Sequence, residues 1–173
     1  MKAIRIAVIG QSGSISPAVD KISAAVGREI AVRGGILFSG GRDGVMMAAS
    51  RGAQEAGGIT VGILPGDEAE QGNPYLSIPI TTGFGLDFRS LVLIHSADAV
   101  IMIGGKSGTL RELFLAYHNR RPVVVLTGSG GWADQARGLL TPDGYLDNRC
   151  SGIIRFAASP ESAVDLAWQL GGF

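Results

Sequence analysis

Short apolar runs alternate along this chain with longer segments whose apolar residues recur every three or four positions. Residues 4–9, 36–38, 59–64, 99–103, 123–126 and 153–156 are mostly apolar and rich in β-branched side chains. That is the pattern of parallel strands covered on both faces. Between them, Val19, Ile22, Val26 and Ile30 form one helical stripe, and Met46, Met47, Ala49 and Ala53 a second. Phe88, Leu91, Val92 and His95 make a third, Leu110, Leu113, Phe114 and Tyr117 a fourth, and Val164, Leu166, Ala167 and Leu170 a last. Ser16-Pro17 and Ser159-Pro160 each set a capping hydroxyl before a proline suited to the first helical position. Residues 65–82 are polar and rich in Gly and Pro, which predicts a surface excursion with a small strand around Ile78 and Ile80. Strand and helix signals alternate without a linker or repeat. The pattern predicts one Rossmann-like α/β/α domain over residues 1–173, an open, mostly parallel sheet with helices on both faces and the first strand central.

The 27 glycines stand mainly at the ends of these runs. Three glycine-rich loops, residues 10–14, 39–44 and 104–108, follow the carboxyl ends of expected strands, the edge where open α/β sheets bind ligands. They should meet at one site, drawing on Gly10, Ser12, Gly13, Gly40, Gly41, Arg42, Gly44, Gly105, Lys106, Ser107, Gly108 and Thr109. The strongest signal is Ile103-Gly104-Gly105-Lys106-Ser107-Gly108-Thr109-Leu110-Arg111-Glu112, which reads as a strand, a phosphate-sized turn and a helix start. Unpaired N–H groups and the helix dipole at such a start can hold an anion. Two familiar phosphate motifs do not fit. A nucleotide triphosphatase loop needs glycine where Val100 stands, and Gly10-Gln11-Ser12-Gly13 lacks the dinucleotide fingerprint.

Composition narrows the partners. Of 173 residues 46% are hydrophobic, and fifteen basic residues balance fifteen acidic ones, so no global field would draw in nucleic acid or an anionic membrane. Cys150 stands alone, and with His95 and His118 it makes no metal-ligand cluster. A reducing, cytoplasmic setting and no structural metal are expected. The amino-terminal MKAIRIAVIG lacks a cleavage site and no run is long enough to span a membrane, so a soluble, unprocessed protein is expected.

The motifs resemble the lysine decarboxylase-like family, which contains the LOG cytokinin-activating phosphoribohydrolases and the molybdenum cofactor carrier proteins. The LOG pattern Pro-Gly-Gly-x-Gly-Thr-x-x-Glu lies over Gly104 to Glu112, and Gly-Gly-Gly-x-x-Gly-Leu-Met-Gly lies over Ser39 to Met47. Gly104, Lys106, Ser39 and Ser90 depart from the LOG residues. Ser39-Gly40-Gly41-Arg42-Asp43-Gly44-Val45-Met46, Gly72-Asn73-Pro74-Tyr75 and Gly128-Ser129-Gly130-Gly131-Trp132 look closer to the carrier branch. The resemblance implies Arg89 and Glu112 as the family's arginine and catalytic glutamate, and a homo-oligomer, dimer or tetramer.

Each of these residues also has a plainer reading. Thr109-x-x-Glu112 spells a capping box, with Thr109 as N-cap. Arg89 could be a solvated helix residue or a partner for Asp87. Lys106, one of three lysines beside twelve arginines, and Arg42 could be loop-tip cations in water. Met46 and Met47 read as core filler, and Leu113, Phe114 and Tyr117 as candidates for a dimer interface.

The expected function is binding of a phosphate-bearing nucleotide-like or pterin-like molecule, with no cofactor required and with the molybdenum cofactor or a nucleotide as the ligand. The enzyme alternative is hydrolysis of a nucleoside 5′-monophosphate to free base and ribose 5-phosphate, and a further alternative is a nucleotide sensor. No lysine is identifiably set for a pyridoxal phosphate Schiff base, so a lysine decarboxylase is not expected.

Overall fold

A computed structural model describes residues 3–172. The apolar runs become β1 (Arg5–Gly10), β2 (Ile36–Ser39), β3 (Ile59–Leu64), β4 (Ile78–Thr81), β5 (Ala99–Ile103), β6 (Val123–Leu126) and β7 (Ile154–Ala157). The periodic segments become α1 (Pro17–Val32), α2 (Val45–Glu55), α3 (Gly85–Ser96), α4 (Ser107–His118), α5 (Gly131–Gln135) and α6 (Pro160–Gly171). Single 3-10 turns form at Ala69–Gln71 and Ala136–Leu139. The strands make one sheet in the order β4-β3-β2-β1-β5-β6-β7, and every neighbouring pair is parallel. Among the described residues no helix is long and apolar enough to cross a membrane.

Alternation along each strand divides the core between two faces. Ile6 and Val8 of β1 and Ile101 and Ile103 of β5 join Val26, Ile30, Ala49 and Val164 beneath α1, α2 and α6. Ala7, Ile9, Val100 and Met102 point the other way and pack with Leu93, Ile94, Leu113 and Tyr117 of α3 and α4. Burial on both sides explains why these strands lack a polar alternate. On the first face α1 and α2 approach so closely that a Cβ on Gly27 would lie 1.9 Å from the Ala49 carbonyl oxygen, and one on Gly52 1.9 Å from that of Ala24. Only glycine fits at either crossing, so the helices that follow β1 and β2 are locked together.

Three expectations are revised. α3 forms, but Phe88 and His95 of the anticipated stripe are exposed, while Arg89, Ser90, Leu93 and Ile94 are buried. The buried face carries two polar residues because its first turns border a cavity rather than the core. Leu113 and Tyr117 are fully buried and Phe114 packs against them, so this face of α4 belongs to the core and offers no exposed dimer surface. Thr109 is not a helix cap: α4 begins at Ser107 with Lys106 as its N-cap and no side-chain cap bond. The 65–82 excursion ends in β4, which pairs with β3 at the sheet edge and exposes all four of its residues.

Candidate functional site

Strand order reverses between β1 and β5. From β1 the chain turns to α1 on one face, and from β5 it turns to α4 on the other, so the two loops diverge and leave a crevice at the carboxyl ends. A cavity of about 210 Å³ occupies it. Gly10, Gln11 and Ser12 supply one wall, Gly40, Arg42 and Met46 another, Leu86, Arg89, Ser90 and Leu93 of α3 a third, and Lys106, Gly108, Thr109, Arg111 and Glu112 the last.

The loop before α4 is held from behind. Gly104 N–H donates to Ser129 Oγ at 2.8 Å, and that hydroxyl donates in turn to the Leu126 carbonyl. The Gly104 and Gly105 carbonyls accept from the N–H groups of Ala133 and Trp132, each at 3.0 Å. A trans peptide points its carbonyl and the following N–H in opposite directions, so the N–H groups of Gly105 and Lys106 are turned away from α5. The N–H groups of Ser107, Gly108 and Thr109 precede the first intrahelical bond, from Leu110 N–H to the Lys106 carbonyl. A run of main-chain donors therefore opens α4 where Lys106, Gly108 and Thr109 line the cavity. Gly105 adopts φ +103, and a Cβ there would strike Thr109, so the turn requires glycine.

Arg89 and Glu112 face each other across this cavity. Both are buried, with 6% and 8% of their surface exposed. Arg89 Nη1 lies 4.0 Å from Glu112 Oε1, too long for a hydrogen bond, and Arg89 Nε and Nη1 have no hydrogen-bond partner among the described residues. The guanidinium rests against Gly40, where a Cβ would come within 1.8 Å of Nη1. Asp87 pairs instead with Arg111, so Arg89 is neither solvated nor spent on the neighbouring carboxylate. Burial lowers the Arg89 pKa, Glu112 works against that fall, and Arg42 adds to it. Glu112 Oε1 accepts from Ser90 Oγ at 2.9 Å, and Arg111 Nη2 approaches the same hydroxyl at 3.3 Å. Burial pushes the Glu112 carboxyl up, opposed by Arg89, the Ser90 hydrogen bond and Arg111. The result is a desolvated arginine with free donors, which an anion could satisfy, beside a carboxyl whose charged form burial disfavours.

Of the residues anticipated from sequence, Gly10, Ser12, Gly40, Arg42, Arg89, Lys106, Gly108, Thr109 and Glu112 line the cavity. Gly13, Gly41, Gly44, Gly105 and Ser107 lie outside the lining. Gly44, at φ +62, abuts the Gln11 and Gly13 carbonyls, and Gly41, at φ +74, packs on Leu64 and Gly62. Gln11, Leu86, Ser90, Leu93 and Arg111 line the cavity unanticipated. Leu86, Arg89, Ser90 and Leu93 follow i, i+3, i+4, i+7 spacing, and that periodicity was available in the sequence. Among the described residues no group of three or more His, Cys, Asp or Glu could hold a metal.

Comparison with solved structures finds the same architecture over nearly the whole chain. TM1055, a structural-genomics target, is 44% identical with a TM-score of 0.91, covering 96% of this chain and 99% of that one. The molybdenum cofactor binding protein of the phototrophic bacterium Rippkaea orientalis is 33% identical with a TM-score of 0.83, covering 98% of each chain. The molybdenum cofactor carrier protein of Chlamydomonas reinhardtii is 30% identical with a TM-score of 0.79, covering 99% of this chain and 100% of that one. The family model described as the SLOG cluster4 family matches residues 3–160, and with that extent of match the chain belongs to this family.

Proposed function

We propose that the protein binds a phosphate-bearing, nucleotide-like or pterin-like small molecule and holds it, in the manner of a molybdenum cofactor carrier. The observation that carries this reading is Arg89, whose buried guanidinium keeps Nε and Nη1 without a partner at the edge of a cavity. A buried donor left unmade costs about 1–3 kcal/mol, more when charged, and a phosphate oxygen would recover that cost. Arg42, Lys106 and Arg111 line the same cavity, which holds Glu112 as its one carboxylate. This local excess of positive charge sits in a chain of zero net charge. The molybdenum cofactor, as cargo, would find its phosphate matched by the donors at the start of α4 and by Arg89. Its ring would meet Leu86 and Leu93. At about 210 Å³ the cavity falls below the roughly 300–1,000 Å³ of enclosing ligand sites, so it would take the anionic end and leave the remainder at the mouth.

A second reading rests on Glu112. Its carboxyl is free of helix capping and reaches the same cavity as Arg89. In a nucleoside 5′-monophosphate phosphoribohydrolase, Arg89 would orient the phosphate and Glu112 would steady the oxocarbenium-like ribose or orient water. The bond from C1′ to the base nitrogen breaks, the water oxygen bonds to C1′, and its proton passes to the base. Incubation with AMP and related monophosphates, following free base and ribose 5-phosphate by chromatography, separates the two. Binding without release, seen as a rise in Tm with nucleotide or pterin phosphate, is the expected result. Release that vanishes in Glu112→Gln would establish the hydrolase instead, and neither binding nor release would refute both.

A further inference from the structure

Residues 65–77 leave the sheet between β3 and β4, and one buried side chain in them reaches back to a cavity loop 31 residues earlier. Asn73, 9% exposed, donates its backbone N–H to the Gly41 carbonyl at 2.8 Å and its Nδ2–H to the Arg42 carbonyl at 3.0 Å. Its Oδ1 accepts from Tyr75 N–H at 3.1 Å, which fixes the side-chain rotamer. Both side-chain groups and the backbone N–H of this asparagine are engaged, and two of these three grip successive carbonyls of the loop that carries Arg42 into the cavity wall. The trans geometry of each peptide then sets the N–H groups of Arg42 and Asp43 facing away from Asn73. Within the loop Gly41, held at φ +74 against Gly62, donates its N–H to Ser39 Oγ at 3.1 Å, while Asn73 grips the same turn from 31 and 32 residues away.

We propose that Asn73 is a positioning residue of the ligand site, acting through the backbone of Gly41 and Arg42 to aim Arg42 at the bound phosphate. The proposal rests on the phosphate reading above. It separates from a merely structural role because it predicts coupling: Asn73 matters to binding only while Arg42 is present.

The test measures AMP affinity by calorimetry for the full chain, Asn73→Ala, Arg42→Ala and the double variant. Asn73→Ala should weaken AMP about three- to tenfold, the loss of one to two neutral hydrogen bonds expressed through Arg42. The double variant should bind no more weakly than Arg42→Ala alone. Affinity unchanged in Asn73→Ala, or two effects that multiply in the double variant, would overturn the proposal. Asn73→Asp guards against misfolding, since it keeps the Tyr75 acceptor and the backbone donor while losing the donor to Arg42. In the nucleotide-free protein, NMR order parameters at Gly41, Arg42 and Asp43 should fall in Asn73→Asp while those of the sheet hold. If the unaltered protein does not bind AMP, AMP recognition fails, and these order parameters decide the positioning role without it. Unchanged order in the loop would overturn that role.

Discussion

Gly40→Ala isolates the seat of Arg89. Gly40 lies outside the left-handed region of backbone space, so alanine brings no φ strain and the added methyl acts by contact alone. That methyl would stand 1.8 Å from Arg89 Nη1, 2.7 Å from Cζ and 2.7 Å from Met46 Sδ. Ordinary contact needs about 3.5 Å, so the guanidinium has to retreat by about 1.7 Å. Because the far end of a flexible side chain yields rather than the backbone, the stability cost should sit near the low end of overpacking, about 1 kcal/mol. The binding cost should be larger. A charged hydrogen bond contributes about 1.5–3 kcal/mol, so losing one weakens phosphate binding by roughly 10- to 150-fold. Thermal unfolding and calorimetric titration with AMP, run on the same preparation, separate the two effects. Arg89→Ala should bind as weakly, and adding Gly40→Ala to it should change little more. A folded Gly40→Ala protein that binds AMP within twofold of the unaltered one would refute the account of Arg89 as the anion's main side-chain partner.

Three further outcomes are expected. The native pKa of Glu112 lies above its unfolded value, so its contribution to stability is full below the unfolded pKa of about 4.3 and is lost as pH rises through the native value. Glu112→Gln removes that titration, and urea unfolding at several pH values should give the variant a weaker decline with rising pH; parallel pH profiles would refute the raised carboxyl. Tyr117→Phe deletes a fully buried hydroxyl that lacks a partner among the described residues, so urea unfolding should find stability unchanged or raised by up to about 1 kcal/mol, and a loss of more than that would show the hydroxyl to be bonded. Lys106→Ala removes an exposed cation at the start of α4, and AMP binding should weaken about two- to fivefold at low ionic strength, with the difference fading near 1 M salt; a salt-independent difference would contradict a simple charge effect.

The middle of the sheet was legible because β1, β2 and β5 are each short, apolar and closed by glycine, and a strand buried on both faces admits little else. β1 at the centre and the meeting of the 10–14, 39–44 and 104–108 loops follow from that alternation. The face of α3 was not legible from hydrophobicity alone. Phe88 and Leu86 are apolar and exposed, whereas Arg89 and Ser90 are polar and buried, so a hydrophobic stripe points to the wrong side of the helix. Thr109-x-x-Glu112 misled for a related reason. Capping depends on where the helix starts, and bonds from α5 to the Gly104 and Gly105 carbonyls shape the turn that begins it at Ser107, two residues before Thr109. The loop-holding role of Asn73 is not legible in the sequence because its partners lie 31 and 32 positions away, and nothing local in Gly72-Asn73-Pro74-Tyr75 specifies what it grips.

The ties between α5 and the carbonyls of Gly104 and Gly105 bear on how this cleft can change over evolutionary time. Those two bonds run main chain to main chain, so the direction of the donors that open α4 rests on Ser129 and the glycines of the turn and not on the side chains that line the rest of the cavity. An anchor written in backbone survives drift. If the site holds an anion as proposed, Ser12, Leu86, Ser90 and Arg111 form a separate layer of the lining that could change what is attached to it without rebuilding the turn. A library randomised at those four positions would sample new cargo on an unchanged frame.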